Sequence, residues 1–210
     1  MNRILFFILL ILNTECFSQD EQSNEILHQL SINTKSYKNI NVDFDFNFKN
    51  ITQEINEQQK GNIKIKENKF RLELDQQIII SDDTTQWVYL KESNELQIME
   101  YDSLDEMISP NKLFTIYEEG YKNTYVELKT DSDLSLHIID LFPIESNSFQ
   151  KIQLQINSEK IQLHNIILYD KNGGTFNYLI TKFNIDTDLD QNLFKFNKED
   201  YPEIQIIDLR

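Results

Sequence analysis

The chain has little of what most site chemistry requires. Its 210 residues include one cysteine, three histidines, four glycines and three prolines. A single Cys16 excludes a disulfide framework and any cysteine-based metal or redox pair. Four glycines leave no Gly-rich phosphate loop, and neither G-x-S-x-G nor H-E-x-x-H occurs. His28, His137 and His164 are isolated, with no second metal-type ligand at helical or strand spacing, so each reads as a surface or partly buried residue. Asp186, Asp188 and Asp190 begin like a calcium loop, but Gln191 and Asn197 stand where that loop needs Gly and Glu. The run reads as a solvated turn. Asp102, Asp105 and Glu106 could pair as carboxylates, yet acidic neighbours are expected by chance among 35 acidic residues. No catalytic residue, metal or cofactor is expected, and the chain is not expected to be an enzyme.

Basic residues are also scarce, 20 against 35 acidic, for a net charge of −15. That balance argues against nucleic acid as a partner and against stable adsorption to anionic lipid surfaces. It suits a soluble shuttle that releases membranes, and it equally suits mere solubility. The longest apolar run, Ile4 to Leu12, has nine residues, where a bilayer span needs about 20. With Arg3 ahead of it and Cys16-Phe17-Ser18 behind, the run reads as an export signal over residues 1–18, cleaved after Ser18. One domain, residues 19–210, then remains. A buried N-terminal strand or helix is the alternative. A lipid anchor on Cys16 is another, although Glu15 stands where a lipoprotein signal wants a small residue.

Aromatic residues are plentiful: 14 Phe, nine Tyr and one Trp. Ser23 to Lys38 predicts a helix, with Ile26, Leu27 and Leu30 on one face. Strands follow almost without interruption. Val42, Phe44, Phe46 and Phe48 alternate with polar residues; so do Ile63 and Ile65, then Phe70, Leu72 and Leu74. Ile78–Ile80, Trp87–Leu90 and Leu96–Met99 continue the series. Ser109-Pro110 predicts the start of a short helix that carries Leu113 and Phe114. Further strands are predicted at Thr124–Leu128, Leu136–Phe142, Phe149–Ile156, Ile161–Tyr169, Thr175–Ile185 and Leu193–Phe196, with a possible edge at Tyr201–Leu209. The fold class is α+β and mainly antiparallel. Its aromatic load fits either an ordinary core or a curved sheet whose concave apolar face is incompletely filled and accepts a greasy ligand.

An ordered set of segments resembles the LolA family of lipoprotein carriers. Gly61-Asn62-Ile63-Lys64-Ile65 opens it, followed by Lys69-Phe70-Arg71-Leu72-Glu73, Ile80-Ser81-Asp82 and Trp87-Val88-Tyr89. Ser109 to Leu113, Asp140 to Pro143, Asp170 to Gly173 and Leu193 to Phe196 match later landmarks in order. The resemblance implies a half-open β-barrel with short helices forming a lid over an apolar concave face. It implies a periplasmic chaperone that holds lipoprotein acyl chains between an inner-membrane lipoprotein-releasing transporter and an outer-membrane acceptor. The expected cavity lining is Phe44, Phe46, Ile63, Ile65, Phe70, Leu72, Leu74, Trp87 and Tyr89. The expected lid is Ile26, Leu27, Leu30, Leu113 and Phe114, and the protein is expected to act as a monomer. The family's lid-bonding Arg-Pro is replaced here by Glu67-Asn68, and Asp83 stands in place of a turn glycine. Arg71, the one arginine between Arg3 and Arg210, is left as the candidate lid contact. An anchored acceptor or another lipid binder of the same fold is the alternative function, and a secreted hydrolase a more distant one. A free Gln19 at the native N-terminus separates a shuttle from an acceptor lipidated on Cys16.

Overall fold

The computed structural model describes residues 19–101, 110–131, 133–146 and 148–210. The expected export signal with Cys16 lies outside the described residues, as do Asp102, Asp105, Glu106 and Ser109.

The chain opens with helix α1 (Gln19–Ser36), which carries Asp20 and Glu21 in its first turn and Lys35 in its last, charges that complement the helix dipole. Its apolar stripe, Ile26, Leu27 and Leu30, is buried. The helix stops short of the predicted Lys38. The Lys38 backbone N–H donates instead to Asp186 Oδ1 at 2.6 Å, and Ile40 pairs with Ile185 in the sheet, so the chain must extend from there.

Twelve strands form one sheet. In chain order they are β1 (Ile40–Asn50), β2 (Ile55–Lys66), β3 (Lys69–Leu74), β4 (Gln77–Ser81), β5 (Thr85–Leu90), β6 (Glu95–Glu100), β7 (Tyr121–Asp131), β8 (Leu134–Pro143), β9 (Phe149–Asn157), β10 (Gln162–Asp170), β11 (Gly174–Ile185) and β12 (Gln205–Asp208). Their spatial order is β12-β6-β5-β4-β3-β2-β1-β11-β10-β9-β8-β7. β1 is central, flanked by β2 and β11. The ends, β7 and β12, do not pair with each other, so the sheet is an incomplete barrel. Every pairing is antiparallel except that of β12 with β6. One parallel edge is consistent with the mainly antiparallel sheet expected from the sequence. It arises because the C-terminal segment folds back across the outer face before joining the edge.

Two further differences have local causes. β2 begins at Ile55, well before the alternating Ile63 and Ile65, because its polar stretch Asn56–Lys60 pairs with Asp45–Lys49 of β1, where Phe48 stacks on Phe176 of β11. The predicted strand Leu193–Phe196 is instead a short 3-10 helix, Gln191–Phe194, capped by the Asp190 side chain, which accepts from the Asn192 backbone N–H. The predicted helix at Pro110 is likewise 3-10, Pro110–Phe114.

Apolar residues gather in two cores. The larger lies on the inner face under α1 and includes Val42, Phe44, Ile63, Phe70, Ile152, Leu154 and Ile166. The smaller lies on the opposite, outer face of β4–β6 and includes Ile78, Ile80, Leu96 and Ile98, packed against Phe196, Tyr201 and Ile204. Phe70 has no exposed surface. Truncating it to alanine should cost about 3–5 kcal/mol of stability, as for other fully buried aromatics. Urea unfolding of Phe70→Ala should show a lower midpoint with an unchanged slope.

Candidate functional site

Register places the inner-face residues. Val42 pairs with Ile63, Ile63 with Leu72, Leu72 with Ile79, and Ile79 with Val88. A second row runs Ile40–Ile65–Phe70. Phe44 and Leu74 both face Gly61. Of the residues expected to share one apolar space, Phe44, Ile63, Ile65 and Phe70 are buried in the inner core, and Phe46, Leu72 and Leu74 pack against it.

Trp87 and Tyr89 belong elsewhere. They pair with Ile80 and Ile78, the residues of β4 that point away from Leu72's partner Ile79. Both therefore sit in the outer core, where the Tyr89 ring lies 4.4 Å from that of Tyr201. Alternation correctly put Trp87 and Tyr89 on one face; the β4–β5 pairing decided which face. Arg71 is corrected for the same reason. It alternates with Phe70 and Leu72, pairs with Ile80 on the outer face, and binds Glu73 Oε1 at 2.7 Å and the Leu193 carbonyl at 3.5 Å. Burial by itself would raise the Glu73 carboxyl, but the Arg71 hydrogen bond and the charges of Arg71 and Lys64 outweigh it and hold the carboxyl below its usual range. Arg71 anchors the C-terminal segment rather than the cover.

The cover consists of α1 and the Pro110–Phe114 turn. Ile26, Leu27, Leu30 and Phe114 are buried in the inner core, and Leu113 packs against it. Phe114 meets Phe183 edge to face at 6.0 Å. Polar bonds lace the two pieces together. The Tyr117 hydroxyl donates to Thr34 Oγ1, Ser31 Oγ donates to Glu118, and Lys35 pairs with Glu118 at 2.9 Å. Helix α1 is also tied to the sheet edge, where Asn123 Nδ2 donates to Asn24 Oδ1.

Beneath the turn lies a cavity of about 90 Å³. Its walls are Val42 and Phe44 of β1, Ile63, Leu72, Pro110, Leu113 and Phe114, closed on the far side by Ile166, Tyr178 and Ile180. Phe44, Ile63, Leu72, Leu113 and Phe114 are expected here from the sequence; Val42, Pro110 and the far wall are not. Its signal was the alternation in β10 and β11, which does not reveal that β11 pairs with β1. Burial pushes the Tyr178 hydroxyl up to about 12, so it stays neutral and presents its ring. The walls carry no charged side chain. Among the described residues, no group of three His, Cys, Asp or Glu could hold a metal ion, and no helix is long and apolar enough to cross a membrane. Such a site can exclude water and hold hydrocarbon.

Residues 35–197 match the family model described as "Outer membrane lipoprotein carrier protein LolA". An uncharacterised protein of Methanocaldococcus jannaschii is 30% identical over 134 residues, 62% of this chain and 38% of that protein; the chain thus spans about two fifths of that relative. A crystal structure of an uncharacterised conserved protein from Thermus thermophilus is similar in fold, at 12% identity and a TM-score of 0.60, covering 89% of this chain and 99% of that one. A LolA superfamily protein from Nitrosomonas europaea is 12% identical with a TM-score of 0.44, covering 82% and 97%.

Gly61 shapes the cavity. A Cβ at this position would run into the Phe44 ring from the paired strand, so only glycine lets that ring rest against β2. Gly61→Ala should push the ring into the space it now borders. The expected result is a loss of about 1–3 kcal/mol of stability, as in overpacked cores, together with weaker uptake of an apolar probe. Chemical denaturation and probe titration of the same sample check both.

Proposed function

We propose, because this chain belongs to the LolA family of outer membrane lipoprotein carriers, that it is a periplasmic chaperone that shields the acyl chains of lipidated proteins between an inner-membrane releasing complex and an outer-membrane acceptor. The observation that supports this reading is the uncharged cavity on the inner face, walled by both halves of the sheet and roofed by a short 3-10 turn. An acyl chain gains about 0.8 kcal/mol per buried methylene, so it leaves a membrane only into another apolar surface. The roof supplies the reversibility. At about 90 Å³ the cavity is well under the roughly 300–1,000 Å³ of an ordinary ligand pocket, so loading an acyl chain requires the Pro110–Phe114 turn to lift. Lifting it breaks few backbone bonds, whereas the strands below are held on both sides. The negative charge then keeps the loaded carrier from settling on anionic lipid. This role needs no catalytic group.

Phe46 packs on the inner core, its ring 5.0 Å from that of Tyr178. Phe46→Glu would bring an unpaired carboxylate to the acyl site, where the charged form is costly. The variant should fold, since the position is only partly buried, and should lose displacement-detectable uptake of a fluorescent fatty acid. Asp45→Lys, on the other face of the same strand, should bind the probe like the parent. Parental binding by both variants would remove Phe46 from the site. Hydrogen exchange should show the amides of Asn111–Phe114 opening faster than those of β9 and β10; equal protection would argue against a lifting roof.

A further inference from the structure

The outer face carries a second concavity, about 700 Å³ in volume, with a polar lining. Asp45, Asn47 and Lys49 of β1 enter it beside Gln58 and Lys60 of β2 and Asn177 of β11. Register explains the grouping: Asp45 pairs with Lys60, and Asn47 pairs with both Gln58 and Asn177. Asp75, in the β3–β4 turn, closes one end.

These side chains differ from the other polar groups of the outer face, which bind one another. Asn62 donates to Asn41 and Asp43, Lys151 and Gln153 both reach Asp140, and Arg71 holds Glu73. In the groove, Asp45, Lys49, Gln58, Gln59, Lys60 and Asp75 make no side-chain hydrogen bond or ion pair to another described residue. Asp45 and Lys60 do not pair although they stand directly opposite each other. Asn177 Oδ1 is buried without a partner. A buried amide oxygen in that state is destabilising until a rotation of the side chain turns it toward a partner or a ligand.

We infer that this groove binds a neutral, polyhydroxylated ligand, a saccharide chain. Its donors (lysines and amide NH₂ groups) and acceptors (carboxylates and amide oxygens) are interleaved, and a sugar hydroxyl both donates and accepts. Two lysines balance two aspartates in the larger groove, so it favours neither sign, and the net charge of −15 disfavours an anionic polymer. Leu179 adds apolar contact for the C–H face of a ring. An extended peptide would need pockets for alternate side chains, and here it would find only that one apolar residue. A groove of about 700 Å³ fits a chain of several sugar units rather than a single one.

The test uses the full chain from residue 19, labelled with nitrogen-15. The side-chain amide signals of Asn47, Gln58, Gln59 and Asn177 are followed during titration with maltohexaose, cellohexaose and N-acetylchitohexaose. A heparin hexasaccharide and a Ser-Gly hexapeptide serve as comparisons. One neutral hexasaccharide should move these signals saturably. The double variant Gln58→Ala/Asn177→Ala should bind it at least about tenfold more weakly, the loss expected for one or two hydrogen bonds, while keeping the remaining spectrum and the parental uptake of the fatty-acid probe. The inference is overturned if no neutral saccharide moves the signals, if the peptide or heparin binds equally well, or if the double variant binds like the parent. Loss of fatty-acid uptake in the variant would also overturn it, by placing the effect in the fold.

Discussion

Burial of the inner face against one helix and one 3-10 turn is the interaction on which the rest of the structure depends. Rows of apolar side chains run across β5 to β2, β1 and β11 to β8, and they must leave water for the sheet to hold its curve. Had the sheet closed, its own far wall would have buried them. It does not close, because β7 and β12 are left as separate ends. The remaining apolar surface falls to Ile26, Leu27 and Leu30 of α1 and to Leu113 and Phe114. Stability and the proposed carrier function therefore draw on the same surface.

The outer core resolves a related problem. Ile78, Ile80, Trp87, Tyr89, Leu96 and Ile98 make the outer face of β4–β6 apolar, and that face needs its own cover. The chain after β11 supplies it, with Phe196 stacked on Tyr201 at 4.7 Å and Arg71 bonded to the Leu193 carbonyl. This arrangement stiffens the end of the sheet beside the Pro110–Phe114 turn. The Pro110–Phe114 turn packs on β3 from the inner face and the Gln191–Phe194 turn from the outer, so the strand that carries Phe70 is covered on both faces.

The sequence by itself determined a good deal. Period-two alternation placed the inner-face residues of β1, β2 and β3 together, because successive side chains of a strand can only point to opposite faces. The spacing of Ile26, Leu27 and Leu30 made a helix with one buried stripe. The scarcity of Cys, His and Gly, with no nucleophile motif, turned attention from catalysis to binding. The ordered segments from Gly61 to Phe196 pointed to the family that residues 35–197 match.

Only the tertiary structure decided which face each strand presents and what lies opposite it. Trp87 and Tyr89 alternate as regularly as Phe70 and Leu72, yet the pairing of Ile79 with Val88 turns them outward; a one-residue change of register would have turned them in. Arg71 follows its neighbours outward for the same reason. Leu193–Phe196 reads as a strand by its composition, but Asp190 caps a 3-10 turn there and Arg71 holds the Leu193 carbonyl. The far wall of the cavity, Ile166, Tyr178 and Ile180, depends on β11 pairing with β1 across more than a hundred residues of chain. Local pattern carries no information about contacts at that separation. They are set by which edges remain free once the hairpins have formed.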